Sequence, residues 1–217
     1  AASGEDLGRV SDIVTDALTA FGLQASDSAH FADVLAAAAT SSNTNVGMMG
    51  DTFKYVAPLA GALKYDVEDV ATAIGVMANS GVKGTEAGTS LRSIFTRLAK
   101  PPKDAAKALD ALGISIKNSD GTIKPFMRTM EEMRDKFSTL SDDQKVQYAA
   151  SIAGQEAMSG LLAIMNASEG DFKKVANAID HADGAAEKMA KTRMDNLAGD
   201  IELVGGAWDQ FIQTIMK

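Results

Sequence analysis

The chain has 217 residues, no cysteine and a formal net charge of −8, with a sequence pI near 4.8. Disulfides, thiolate metal sites and a cysteine nucleophile are therefore excluded, and the acidity argues against a surface that wraps DNA or an anionic membrane. Apolar residues at 46% and charged residues at 23% suit a packed core, and 6% aromatics against 11 methionines point to close helix packing on small, adaptable side chains. No run of about 18 or more apolar residues occurs, so no segment is expected to span a bilayer alone. The chain opens AASGED without methionine and closes FIQTIMK in helical register. It therefore reads as a piece of a longer protein, cut inside a helix.

Taken in order, Leu7, Val10, Val14, Ala17, Leu18 and Phe21 form a helical stripe that Gly22 ends. Ser26 or Asp27 is placed to cap a second helix with Phe31, Val34, Leu35 and Ala38 inward. The run Ser41 to Asn45 is a loop that can cap a third, whose stripe is Val46, Met49, Phe53, Val56, Ala60 and Leu63. Pro58 inside it predicts a kink. Asp66, with Asp69 three residues on, predicts a capped fourth helix.

The stretch GVKGTEAGTSLRSIFTRLAKPP (81–102) combines a glycine-broken turn, a polar helix start, an apolar stripe and a double-proline stop. Gly81 and Gly84 suit a turn with positive φ or a close backbone approach. Thr85 can cap the helix, with Leu91, Ile94, Phe95 and Leu98 on its buried face. A short helix follows from Pro101-Pro102 to Gly113. Ile114 to Lys117, the turn Asn118 to Gly121 and Thr122 to Lys124 predict one small β-hairpin at about 114–124.

Pro125 opens a helix with Phe126, Met130, Met133, Phe137 and Leu140 inward. Ser141 and Gln144 fit a capping box for the next, which Gly154 breaks. Ala157, Leu161, Ile164 and Met165 continue, and Ser168 with Asp171 starts a further helix. Ala190, Met194, Leu197, Ile201, Val204, Trp208, Phe211 and Ile215 then alternate in steps of four and three, a heptad stripe. The expected architecture is mainly α: a multi-helix globular bundle over 1–182, with one small hairpin, and a long C-terminal heptad helix beginning the extension 183–217.

Chemistry-bearing candidates are few. His30 and His181 stand far apart without a metal-ligand pattern and read as ordinary histidines. Glu131-Glu132 and Asp142-Asp143 project to different helix faces, unsuited to paired acid–base work. The basic set Arg92, Arg97, Lys100, Lys103 and Lys107 reads as a solvated helix face rather than a nucleic-acid site. GTEAG (84–88) reads first as a turn and helix start and second as a helix contact. Asn166-Ala167-Ser168 is a formal glycosylation sequon for which a helix cap suffices. No catalytic, cofactor or metal residue is assigned, and no cofactor is expected.

Several stretches together resemble the core region of phage tail tape-measure proteins: AFGLQASD (20–27), DVLAAAATSSNTNV (33–46), KYVAPLAGAL (54–63), ANSGVKGTEAGTSLRSIFTRLAKPP (78–102), ALDALGISIKNSDGTIKP (108–125) and SDDQKVQYAASIAGQEAMSGLLAIMN (141–166). Their order spans roughly residues 5 to 215, nearly the whole chain. The family-motif positions are Gly81, Gly84, Gly88, Thr89, Leu91, Arg92, Pro101, Gly113, Gly121, Gly154 and Gln155. The resemblance implies a non-enzymatic scaffold and ruler inside the growing tail, in the tail lumen of the virion and in the host cytoplasm during assembly. It implies tail-tube subunits, tail-assembly chaperones and tail-tip proteins as partners, with self-association through the heptads. Direct nucleic-acid binding is not expected, and membrane contact only in delivery. The alternative is a membrane-active or wall-degrading domain that assists genome delivery.

Overall fold

A computed structural model describes residues 6–196. The elements are α1 (Leu7–Phe21), a 3-10 turn (Ala25–Asp27), α2 (Ser28–Ser41), α3 (Val46–Leu63), α4 (Val67–Asn79), α5 (Gly84–Ala99), α6 (Lys103–Leu112), α7 (Phe126–Ser138), α8 (Asp142–Ala153), α9 (Met158–Met165) and α10 (Glu169–Asp180). A further helix, α11, runs over 185–196.

The centre is α4. Every residue from Val70 to Ala78 is buried, so this helix has no solvent face. A helix that is apolar all round must be enclosed by others, and α2, α3, α5, α7, α9 and α10 all pack on it. On one side α3 lies between α1 and α5; on another, α8 sits against α5, α6 and α9. The predicted stripe of α5 is fully interior: Leu91, Ile94 and Phe95 have no exposed surface and Leu98 almost none. Phe95 stacks edge-on with Phe126 of α7 at 4.7 Å and with Tyr65 at 5.1 Å between ring centroids. Burial, and then the charge of Asp69, push the Tyr65 hydroxyl up to about 12.

The mainly α class holds, but the hairpin does not. Among the described residues there is one antiparallel bridge, Lys117 with Ile123, and no strand. The local signal is real: Asn118 N–H donates to the Thr122 carbonyl, and Lys124 N–H to that of Ile116. The arms stop there because the Ser115 hydroxyl turns back onto the Lys117 backbone, while Phe126 begins the next helix. Two short arms are too little for an independent ladder. Of the heptad positions, Ala190 is half-buried and Met194 is 64% exposed; Leu197 to Ile215 lie outside the described residues.

Three predicted caps are used differently. Asp27 stands at the N-cap position of α2, but its carboxylate closes the 3-10 turn instead, accepting from Gln24 N–H at 2.8 Å. Helix α5 starts at Gly84 with Lys83 at the cap, so Thr85 lies inside its first turn. Asp69 does not turn back to its own helix; its carboxylate accepts Met127 N–H at 3.0 Å, closing the start of α7, 58 residues along the chain. A carboxylate at a helix N-terminus satisfies an orphan donor and meets the positive end of the helix dipole. Pro58 lies on the exposed face of α3, and the helix continues past it to Leu63.

Burial raises the Asp69 carboxyl above the usual carboxylate range, against the lowering effect of the Met127 N–H. Asp69→Ala is expected to cost about 1–3 kcal/mol by leaving that donor unpaired, and Asp69→Asn less, because an amide oxygen can still accept. The native state also takes up the Asp69 proton before the unfolded chain does. Wild type should therefore gain on Asp69→Asn as pH falls from about 7 toward about 4, read from urea midpoints of the two proteins.

Candidate functional site

Eight of the eleven sequence-marked residues fall in two places joined by α5. The first is the seam with α3. Gly81 and Gly84 have φ of +90° and +60° and bring the chain round from α4 into α5. Thr52 of α3 donates its hydroxyl to the Gly84 carbonyl at 2.8 Å. Gly88 lies flat on Tyr55, where an added Cβ would stand 2.9 Å from the tyrosine Cβ. The bare backbone is what lets α3 and α5 approach. The GTEAG segment is thus both the helix start and a helix contact. Leu91 is buried below, Arg92 lies over the Tyr55 ring at 5.8 Å, and Thr89 is exposed.

The second place is the end of α8. The last four carbonyls of a helix lack intrahelical partners, and here each has one. Gly154 N–H donates to Ala150 at 2.9 Å. The Arg97 guanidinium donates to Ser151 at 2.8 Å and to Ile152 at 2.9 Å. The Ser93 hydroxyl donates to Ala153 at 2.9 Å. Arg97 also holds Asp104 at 2.9 Å, so the guanidinium fork spans α5, α6 and α8. The Ala105 backbone N–H, and then Arg97, hold the Asp104 carboxyl below its usual range. Gly154, at φ +88°, turns the chain away beside the Arg97 side chain. A groove of about 560 Å³ lies outside this cap, with Gln155, Gln147 and Val146 on its walls.

Pro101 sits half-buried between α5 and α6, Gly113 closes α6 with φ +68°, and Gly121 occupies the 118–122 turn with φ +86°. None of the three lines the groove at the end of α8.

Sequence reasoning placed Arg97 in a solvated basic face, and it missed Arg134 altogether. Arg134 of α7 repeats the device. It donates to the Ile164 carbonyl at 2.6 Å and to that of Ala167 at 2.9 Å, and its guanidinium lies 4.5 Å from the centre of the Phe172 ring. The carbonyl partners of Ser93, Arg97 and Arg134 lie 30 to 60 residues along the chain, so no local pattern announces them.

Several of the remaining candidates are also engaged. Glu132 pairs with Lys124 at 2.7 Å, His181 reaches the Asn177 carbonyl, and Ser168 in the sequon accepts Asp171 N–H at the start of α10. Among the described residues no group of histidine, aspartate or glutamate side chains could hold a metal ion. At both places the sequence-marked residues meet the chain's own backbone and side chains. Arg97→Met is expected to lower stability by about 2–3 kcal/mol, and Arg97→Lys to recover under half of that, since an ammonium lacks the fork. Guanidinium unfolding measures both, and amide exchange should quicken first at the end of α8.

A family model described as phage-related minor tail protein matches residues 1–154. The tape measure protein of Pneumococcus phage Dp-1 is 37% identical over 220 residues, which is 100% of this chain and 19% of that protein. The probable tape measure protein of Escherichia phage P2 is 30% identical over 194 residues, 88% of this chain and 24% of that protein. The chain thus spans about a fifth to a quarter of the length of these curated relatives. No solved structure matches it. With the family model aligned over well more than half its length, the chain belongs to the phage-related minor tail proteins.

Proposed function

We propose that this chain is a helical scaffold domain of a tape measure protein, acting in tail assembly and in setting tail length. The observation that carries the proposal is the 37% identity to the Dp-1 tape measure protein along the entire chain. The geometry supports a structural role. Arg97, Arg134, Ser93 and Asp69 reach into the helix packing and close helix ends. The domain is read as non-enzymatic on that basis.

Residues 1–182 form the body, and 183–217 begin an extension that carries the heptad stripe and offers a seam for self-association. A helical extension converts residue number into distance at about 1.5 Å per residue, which is what a ruler needs. The body is taken to work in the tail lumen, after assembly in the host cytoplasm, against tail-tube subunits, chaperones and tip proteins. Thr89, Arg92 and Gln155, the solvent-facing members of the motif set, are the side chains offered to those partners.

In a phage encoding this chain, in-frame removal of about 28 residues from a helical stretch outside the body should shorten the tail by about 42 Å. Removal of the body itself should abolish tails of normal length. Electron microscopy of the particles measures both, and normal tails without the body would overturn the proposal.

A further inference from the structure

Helix α11 is held at its start by side chains from the other end of the sequence. Asp33 of α2 accepts Gly184 N–H on one carboxylate oxygen and Ala186 N–H on the other, each at 2.9 Å. These are the orphan donors of a helix N-terminus. By contrast α8 and α10 are capped by the residue just before them. One turn earlier on α2, His30 stands between two carboxylates. Its Nε2 bonds Glu68 of α4, and its Nδ1 lies 3.6 Å from Asp183. Beyond Ala182, which is buried, the contact thins: Ala185, Ala186, Met189 and Ala190 are half-buried, and residues 191–196 are all exposed. Gly184 has φ +78°, a conformation that leaves the joint to the one residue type that swivels freely.

We propose that the turn 181–184 is a proton-gated hinge, in which charged His30 ties Asp183 to Glu68 and keeps α11 seated on Asp33. When His30 is neutral, Asp183 and Glu68 face each other without a cation between them, and α11 swings about Gly184. The other charged groups lining the groove at His30 are Asp27, Lys64 and Asp66, so the surroundings are net acidic and favour the charged imidazole. The Glu68 hydrogen bond first, and Asp183 more weakly, raise the His30 pKa above its ordinary value of 6.5 against the opposing effect of burial. With the folded value raised, the latch is complete below 6.5 and is lost as pH climbs through the raised value. The hinge stands on this geometry alone and does not require the tail-length role.

The absence of native cysteine makes the test direct. Spin labels on cysteines at Lys107 of α6 and Lys191 of α11, both exposed, report their separation by double electron–electron resonance. At about pH 6 one narrow distance is expected, and at about pH 8.5 a second component should gain about twofold to fivefold in population, the size of an exposed ion pair. His30→Gln should abolish the pH response, and Asp33→Asn should show the second component at both pH values. Circular dichroism confirms that each variant keeps its helices. Identical distributions for wild type at the two pH values, a surviving response in His30→Gln, or a single narrow distance in Asp33→Asn would overturn the hinge.

Discussion

The enclosure of α4 is the constraint on which the rest of the molecule depends. Nine consecutive residues, Val70 to Ala78, are out of solvent. No amphipathic solution exists for such a segment, so the neighbouring helices have to surround it. That demand arranges the chain: α2 and α10 on one flank, α3 and α5 on another, and α7 and α9 closing the remainder. The small residues of α4 let those neighbours come near, and interior packing at crystal-like density makes the arrangement particular. Several of the polar groups that reach into this packing, among them Thr52, Ser93, Arg97 and Arg134, are spent on backbone carbonyls.

That commitment follows one rule. Helix ends inside a crowded bundle leave carbonyls and amides that water reaches poorly, and each must find a partner. Here charged side chains from other helices supply them: Asp69 for the start of α7, Arg97 for the end of α8, Arg134 for the end of α9, Asp33 for the start of α11. Arginine serves at the carbonyl ends because its fork reaches two acceptors at once, and aspartate at the amide ends because its two oxygens accept. Charge-assisted bonds at such sites are stronger than neutral ones, so the caps add to the hold that apolar contact gives.

These two layers differ in how far the sequence discloses them. Interior faces are readable because helical periodicity is local. Phe126, Met130, Met133 and Phe137 are spaced as a stripe and are all buried. Caps made by adjacent residues are readable for the same reason, as Ser141 with Gln144 and Ser168 with Asp171 show. Remote caps are not. Asp69 has the right offset from Asp66 for a local box, yet its partner is Met127. Arg97 sits in a basic run that suggests solvent, yet it lies on the α8 carbonyls. The residues 114–124 alternate like strands, but alternation says nothing of whether a third strand exists to extend the bridge. The motif glycines disclosed the turns at Gly81, Gly113 and Gly154, but not which helix each turn would deliver to its neighbour.

The placement of α11 has a mechanical consequence. A pull along residues 185–196 enters the body at two points, through the covalent link to α10 and through Asp33 into α2. Both of those helices lie on α4. While α11 is seated on Asp33, load is therefore shared between an early and a late part of the chain and carried toward the interior. Once that seat is lost, the same pull reaches the body through α10 alone.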